Sequence, residues 1–264
     1  MTKEKLYVIK IGGNIIDSDQ NLNLFLKDLA SITAHKILVH GGGKIATEIS
    51  KGLGIEAQMI DGRRITDAET LKIVTMVYGG LINKNIVSKL QAQQCNAIGL
   101  SGADANIILS EKRPLKNGID YGFVADVKQV NAEPLIALID AGLTPVIAPL
   151  SHDGQGNMLN TNADTVASCL AVALSAKYEI QLVYCFELNG VLSDFENKDS
   201  VIPEITPYYY LQLKGEGVIS KGMIPKLDNS FDAIQGGVEK VIICHANDLL
   251  AITTGAQKGT TLSK

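Results

Sequence analysis

No apolar run in this 264-residue sequence reaches the roughly 18 residues that a membrane-spanning helix needs, so no helical span is expected. A basic surface is also missing. Lys and Arg number 24 against 28 Asp and Glu, for a net charge of −4, which argues against a nucleic-acid partner. Cysteines are few and scattered: Cys95, Cys169, Cys185 and Cys244 form no CxxC pair. They read as reduced thiols of a cytoplasmic protein rather than disulfide partners or zinc ligands. The four histidines, His35, His40, His152 and His245, show no ligand spacing either, and no protein metal site is expected. The first five residues lack the apolar stretch and cleavage site of a signal peptide. No Pro-, Ser- or Gly-rich linker and no internal repeat divides the chain.

Short apolar, β-branched runs alternate with longer helical patterns, and hydrophobic residues make up 46%. Strands are expected at residues 6–11, 36–40, 97–100, 145–150, 181–185 and 241–244. Helices are expected at 22–32, after Gly43, over 68–94 (one helix, or two joined at Gly79-Gly80), at 135–141, at 162–176 and after Pro225. A hairpin is expected within 104–128. This alternation implies a mainly parallel sheet covered on both faces, in one domain of 1–264 or two lobes sharing a sheet. In such sheets ligands gather at the carboxyl ends of the strands, so the polar and glycine-rich strand ends carry the functional question.

Gly12-Gly13 ends the first strand, where backbone N–H groups can cradle an anion, with Lys10 two residues upstream. Gly41-Gly42-Gly43 precedes a helix, whose N-terminus favours carboxylate or phosphate. Neither turn is a Walker A or GxGxxG motif: position 45, after Gly43-Lys44, is Ile rather than Ser or Thr, and position 46 is Ala. Arg63 and Arg64 offer guanidinium forks for a carboxylate, ahead of Thr66 or Asp67 as helix cap. In Asn160-Thr161-Asn162-Ala163-Asp164, either Asn162 or Asp164 suits a cap, Asp164 suits two lysines, and Asn160 suits a substrate amide. Lys226 follows Pro225 in a first helical turn, where a cation is disfavoured without an anion nearby.

Together and in this order, Lys10-x-Gly12-Gly13, His40-Gly41-Gly42-Gly43, Asn160-x-Asn162-Ala163-Asp164 and Gly222-Met223-Ile224-Pro225-Lys226 resemble the amino-acid kinase family over nearly the whole chain. Gly62-Arg63-Arg64-Ile65-Thr66-Asp67, Asn83-Lys84-x-Ile86-Val87 and Gly99-Leu100-Ser101-Gly102-x-Asp104 look most like its acetylglutamate kinase branch. The resemblance implies a three-layer αβα sandwich with an N-lobe of about 1–175 for the acyl-amino acid and dimerisation, and a C-lobe of about 176–264 for ATP. It implies transfer of the ATP γ-phosphoryl group to the side-chain carboxylate of N-acetyl- or N-succinyl-L-glutamate, in arginine biosynthesis, by a homodimer using Mg²⁺–ATP. Lys10 and Lys226 match the lysines at the transferring phosphoryl group, and Asp164 the aspartate that holds them. Gly12, Gly13 and Gly43 match phosphate donors; Gly42, Gly43, Arg64 and Asn160 the substrate grip; Glu187 a nucleotide contact. Departures are Lys44 for proline, Arg63 for leucine, Lys221 for glycine, the segment 185–190 around Glu187, and 245–248. The N-terminal helix of arginine-inhibited relatives is missing before the first strand, so that feedback route is not expected. A glutamate side chain is already an anion at neutral pH, so the chemistry asks for charge stabilisation rather than a base. Competing readings are a sibling carbamate or aspartate kinase and a non-catalytic amino-acid or nucleotide sensor.

Overall fold

Strand Lys5–Ile11, buried on both faces from Leu6 onward, sets the architecture. Leu6 and Val8 pack into one hydrophobic cluster, while Tyr7, Ile9 and Ile11 pack into another on the opposite face. The computed structural model describes residues 2–60, 63–115, 118–219 and 222–264. Asp61, Gly62 and Lys221 lie outside the described residues, as does the side chain of Arg63.

Among the described residues the main sheet has eight strands, in the order Glu204–Ile205, Thr260–Leu262, Lys240–His245, Glu179–Phe186, Lys5–Ile11, His35–His40, Thr144–Ile147, Ala97–Leu100. Every pairing is parallel except that of Lys240–His245 with Thr260–Leu262. Helices Ala163–Leu174 and Ile224–Gln235 contribute to the cluster on the Leu6 face; Asp19–Ser31 and Asn83–Ala92 contribute to the one on the Tyr7 face. This is the expected mainly parallel sheet between helical layers. Winding runs outward in one direction from Lys5–Ile11 to Ala97–Leu100, and in the other from Glu179–Phe186 to Lys240–His245. The two middle strands therefore part at a topological switch point, where open α/β sheets bind ligands.

Two expectations change. The predicted strand 145–150 is divided: Thr144–Ile147 belongs to the main sheet, and Leu150–His152 starts a second one. Pro149, without an N–H, stands between them and cannot extend a ladder. The second sheet runs Met158–Asn160, Leu150–His152, Ile108–Lys112, Ala125–Val130, and its last two strands pair antiparallel as the hairpin expected within 104–128. Residues 68–94 do not break at Gly79-Gly80; Thr75–Ile82 is a π-helix between Ala68–Val74 and Asn83–Ala92. Its wider turn sets Tyr78 and Ile82 against Gly42.

Candidate active site

Residue parity in the first strand aims Lys10 at its partner. Lys10 shares the face of Leu6 and Val8, the face covered by helix Ala163–Leu174, and that helix carries Asp164 in its first turn. Lys10 Nζ lies 2.7 Å from Asp164 Oδ1 in a charge contact. From the first turn of Ile224–Gln235, Lys226 Nζ donates to Asp164 Oδ2 at 3.1 Å. The cap is Asn162, whose side chain accepts from the N–H groups of Asp164 and Thr165. Asp164 is thus free to serve the two lysines. Burial opposes charge on Asp164, but the two ammonium groups outweigh it and hold its carboxyl below the usual carboxylate range. Burial lowers the pKa of Lys226, with Asp164 pulling the other way.

Gly12, Gly13, Glu187 and Lys226 line one cavity of about 300 Å³ with Asn14, Phe186 and others. A second, largely apolar cavity of about 230 Å³ shares Leu188, Gly190 and Met223 with it. Lys10, Asp164 and Lys226 thus meet beside the glycine turn at the switch point. Residue-by-residue reading passed over Phe186, Asn14 and Met223. Only the position of Phe186 at the carboxyl end of an apolar strand hinted at it.

The second glycine turn has its own support. Helix Gly43–Gly52 begins with Gly42 as a cap without a side chain, so its first-turn N–H groups have no side-chain acceptor. Gly42 has φ +147°, and a Cβ there would collide with Ile82 Cδ1 and crowd the Tyr78 ring. His40 is fully buried: Nδ1–H donates to Gly41 O at 2.8 Å, and Nε2 accepts from Asn83 Nδ2 at 3.2 Å. Asn83 also donates to Val146 O and accepts from Lys84 Nζ. Burial pulls the His40 pKa down to about 4, the Gly41 contact opposing, so the ring is neutral near pH 7.

Arg64, 8% exposed, reaches the same turn: Nη2 donates to Gly43 O at 2.8 Å and to Thr47 Oγ1 at 2.6 Å. Its Nη1 is buried without a hydrogen-bond partner among the described residues. Asn160 Nδ2 donates to Thr66 Oγ1 at 2.9 Å. Asp67, not Thr66, caps the following helix by accepting from Thr70 N–H. Lys44 lies 3.6 Å from the Asp17 carboxylate, which has no hydrogen-bond partner among the described residues and is pushed up in pKa by burial. The structure therefore forms two groupings, one around Lys10, Gly12, Gly13, Asp164, Glu187 and Lys226, and one around Gly42, Gly43, Arg64 and, through Thr66, Asn160. They are joined where Gly41 N–H donates to Ile11 O at 3.2 Å.

Residues 5–245 match the model of the amino acid kinase family. A protein of Cytophaga hutchinsonii named acetylglutamate kinase is 72% identical over 249 residues, 94% of each chain. One of the same name from Phocaeicola vulgatus is 56% identical over 99% of this chain and all of its own. N-acetylglutamate synthase from Neisseria gonorrhoeae, solved with coenzyme A and N-acetyl-glutamate, superposes with a TM-score of 0.85 at 19% identity. That match covers this whole chain and 60% of the other, and at such identity it is a likeness of fold.

Proposed function

The chain belongs to the amino acid kinase family, and from that premise we propose that it moves the γ-phosphoryl group of ATP onto the side-chain carboxylate of N-acetyl-L-glutamate, yielding an acyl phosphate on the route to arginine. One observation carries this reading: a single half-buried carboxylate, Asp164, holds two ammonium groups beside a glycine-lined cavity at the switch point. The acceptor is an anion and so is its phosphate partner, and phosphoryl transfer depends on positioning and charge stabilisation. Two lysines sharing one aspartate leave a net positive charge where that need is greatest.

Lys10, Lys226 and the N–H groups of Gly12 and Gly13 meet the ATP phosphates, with Glu187 at the nucleotide and the apolar cavity beyond for the base. Across the joined glycine turns, Gly42 and Gly43 N–H groups receive the acceptor. The free Nη1 of Arg64 takes the α-carboxylate and Asn160 the amide. Mg²⁺ arrives with ATP as part of the substrate, held mainly by the phosphates and water. A cytoplasmic location fits the need for ATP and the four free thiols. A homodimer fits the open sheet edge at Ala97–Leu100 and the exposed Met76 and Leu81.

The test is ADP release from Mg²⁺–ATP with N-acetyl-L-glutamate, N-succinyl-L-glutamate or glutamate as acceptor. Turnover with the acetyl compound and none with glutamate is expected. A succinyl preference would change the acyl group and keep the mechanism. No acceptor-dependent turnover with either acylated compound would overturn the kinase reading.

A further inference from the structure

Among the described residues, Asp164 is the one carboxylate within ion-pair distance of Lys10 or Lys226. One negative charge therefore restrains two long, flexible side chains. A second acid would hold them more firmly, but it would cancel the positive charge that phosphate requires. An aromatic face attracts a cation through its quadrupole without neutralising it, and such a face is present. The Phe186 ring centroid lies 3.7 Å from Lys226 Nζ and 5.3 Å from Lys10 Nζ. The ring stacks near Tyr184, with centroids 6.2 Å apart and planes 15° from parallel. It also borders the glycine turn, since a Cβ on Gly12 would stand 4.0 Å from Phe186 Cδ1. Register explains the convergence: Tyr184 pairs with Lys10 across adjacent parallel strands, and Phe186, two residues on, emerges from the same face at the strand end.

We infer that Phe186 is a positioning residue for phosphoryl transfer, whose ring face holds the Lys226 ammonium between Asp164 and the Gly12-Gly13 turn. This rests on the kinase reading above, and it separates from the simpler role of an apolar wall for the nucleotide. A wall acts on the KM for ATP. A positioning residue acts on kcat, because a misdirected ammonium fails where charge develops.

Phe186→Leu keeps apolar volume and removes the ring. It is expected to lower kcat about tenfold, the scale of a desolvated cation–π contact, while the KM for the acyl-glutamate stays within about twofold. Phe186→Tyr, which restores the ring, should recover most of kcat. Unchanged kcat in Phe186→Leu, or a rise in the KM for ATP alone, would overturn the proposal. A second readout needs no turnover. In wild-type protein carrying ¹³C-lysine, the ε-methylene protons of Lys226, assigned with Lys226→Arg, should show an upfield ring-current shift. An unshifted resonance would refute the placement. A shifted resonance in a protein that turns over no acyl-glutamate would uphold the placement and reject the kinase reading, so the two failures are distinguishable.

Discussion

Lys226 is unusual as a residue. A cation in the first turn of a helix meets the positive end of the macrodipole, and this one is also partly desolvated. Asp164 and the Phe186 ring are its compensation. Lys10, at 8% exposure, is an equally improbable interior cation unless its charge is used. Removing either ammonium should therefore cost chemistry rather than folding: Lys10→Ala and Lys226→Ala are each expected to cut kcat by roughly 10²-fold or more. Arg64→Ala should chiefly raise the KM for acyl-glutamate, because Arg64 faces the other grouping. Steady-state kinetics in both substrates checks this, and normal kcat in folded Lys226→Ala would remove the lysine from the mechanism. Lys10, Asp164, Lys226 and Arg64 stand out in the sequence as candidates because their motifs, each weak alone, come together in an order that resembles the family, and these kinetics test their roles. Phe186 does not stand out, because an aromatic residue at the end of an apolar strand looks like core until its neighbours are known.

At the scale of elements, the glycine turn Gly41–Gly43 is the joint between strand His35–His40 and helix Gly43–Gly52. Its glycine content announced a turn, and positive φ at Gly42 agrees. What braces it was not visible: the π-helix carrying Tyr78 and Ile82, and the His40–Asn83 pair. A π-helix differs from an α-helix by a wider backbone turn that Gly79-Gly80 tolerates but does not dictate, so the 68–94 pattern reads as one helix or as two joined at those glycines. The brace has a pH signature. His40 has its pKa depressed on folding to about 4, so between there and its unfolded value near 6.5 the unfolded chain binds more protons. Its contribution is complete above about pH 6.5 and is lost as pH falls toward 4, on the order of 3 kcal/mol across that window. Urea midpoints at pH 7 and pH 4.5 should differ more for wild type than for His40→Gln. Equal differences would mean that the ring is not the titrating brace.

For the whole molecule, the order of strands matters more than their existence. Lys5–Ile11 and Glu179–Phe186 are neighbours although well over half of the chain separates them in sequence, and this adjacency creates the switch point and its cavity. The opposite edge, Ala97–Leu100, is unpaired on its outer side among the described residues, and exposed Met76 and Leu81 add apolar surface. Sedimentation equilibrium should therefore give twice the chain mass, and Met76→Glu should shift it toward one chain mass at low concentration. A monomeric wild type would reject the homodimer. The alternation of strand and helix, the two glycine turns and the residue types of the site are local properties, set by periodicity, backbone freedom and charge within a few positions. Those follow from the order of residues alone. Tertiary contacts settle what these local properties leave open: Arg64 Nη1 has no hydrogen-bond partner among the described residues, residues 145–150 divide between two sheets, and Phe186 faces Lys226. Each depends on which side of a sheet a helix packs and in what register, and those choices are made by contacts between residues far apart in the chain.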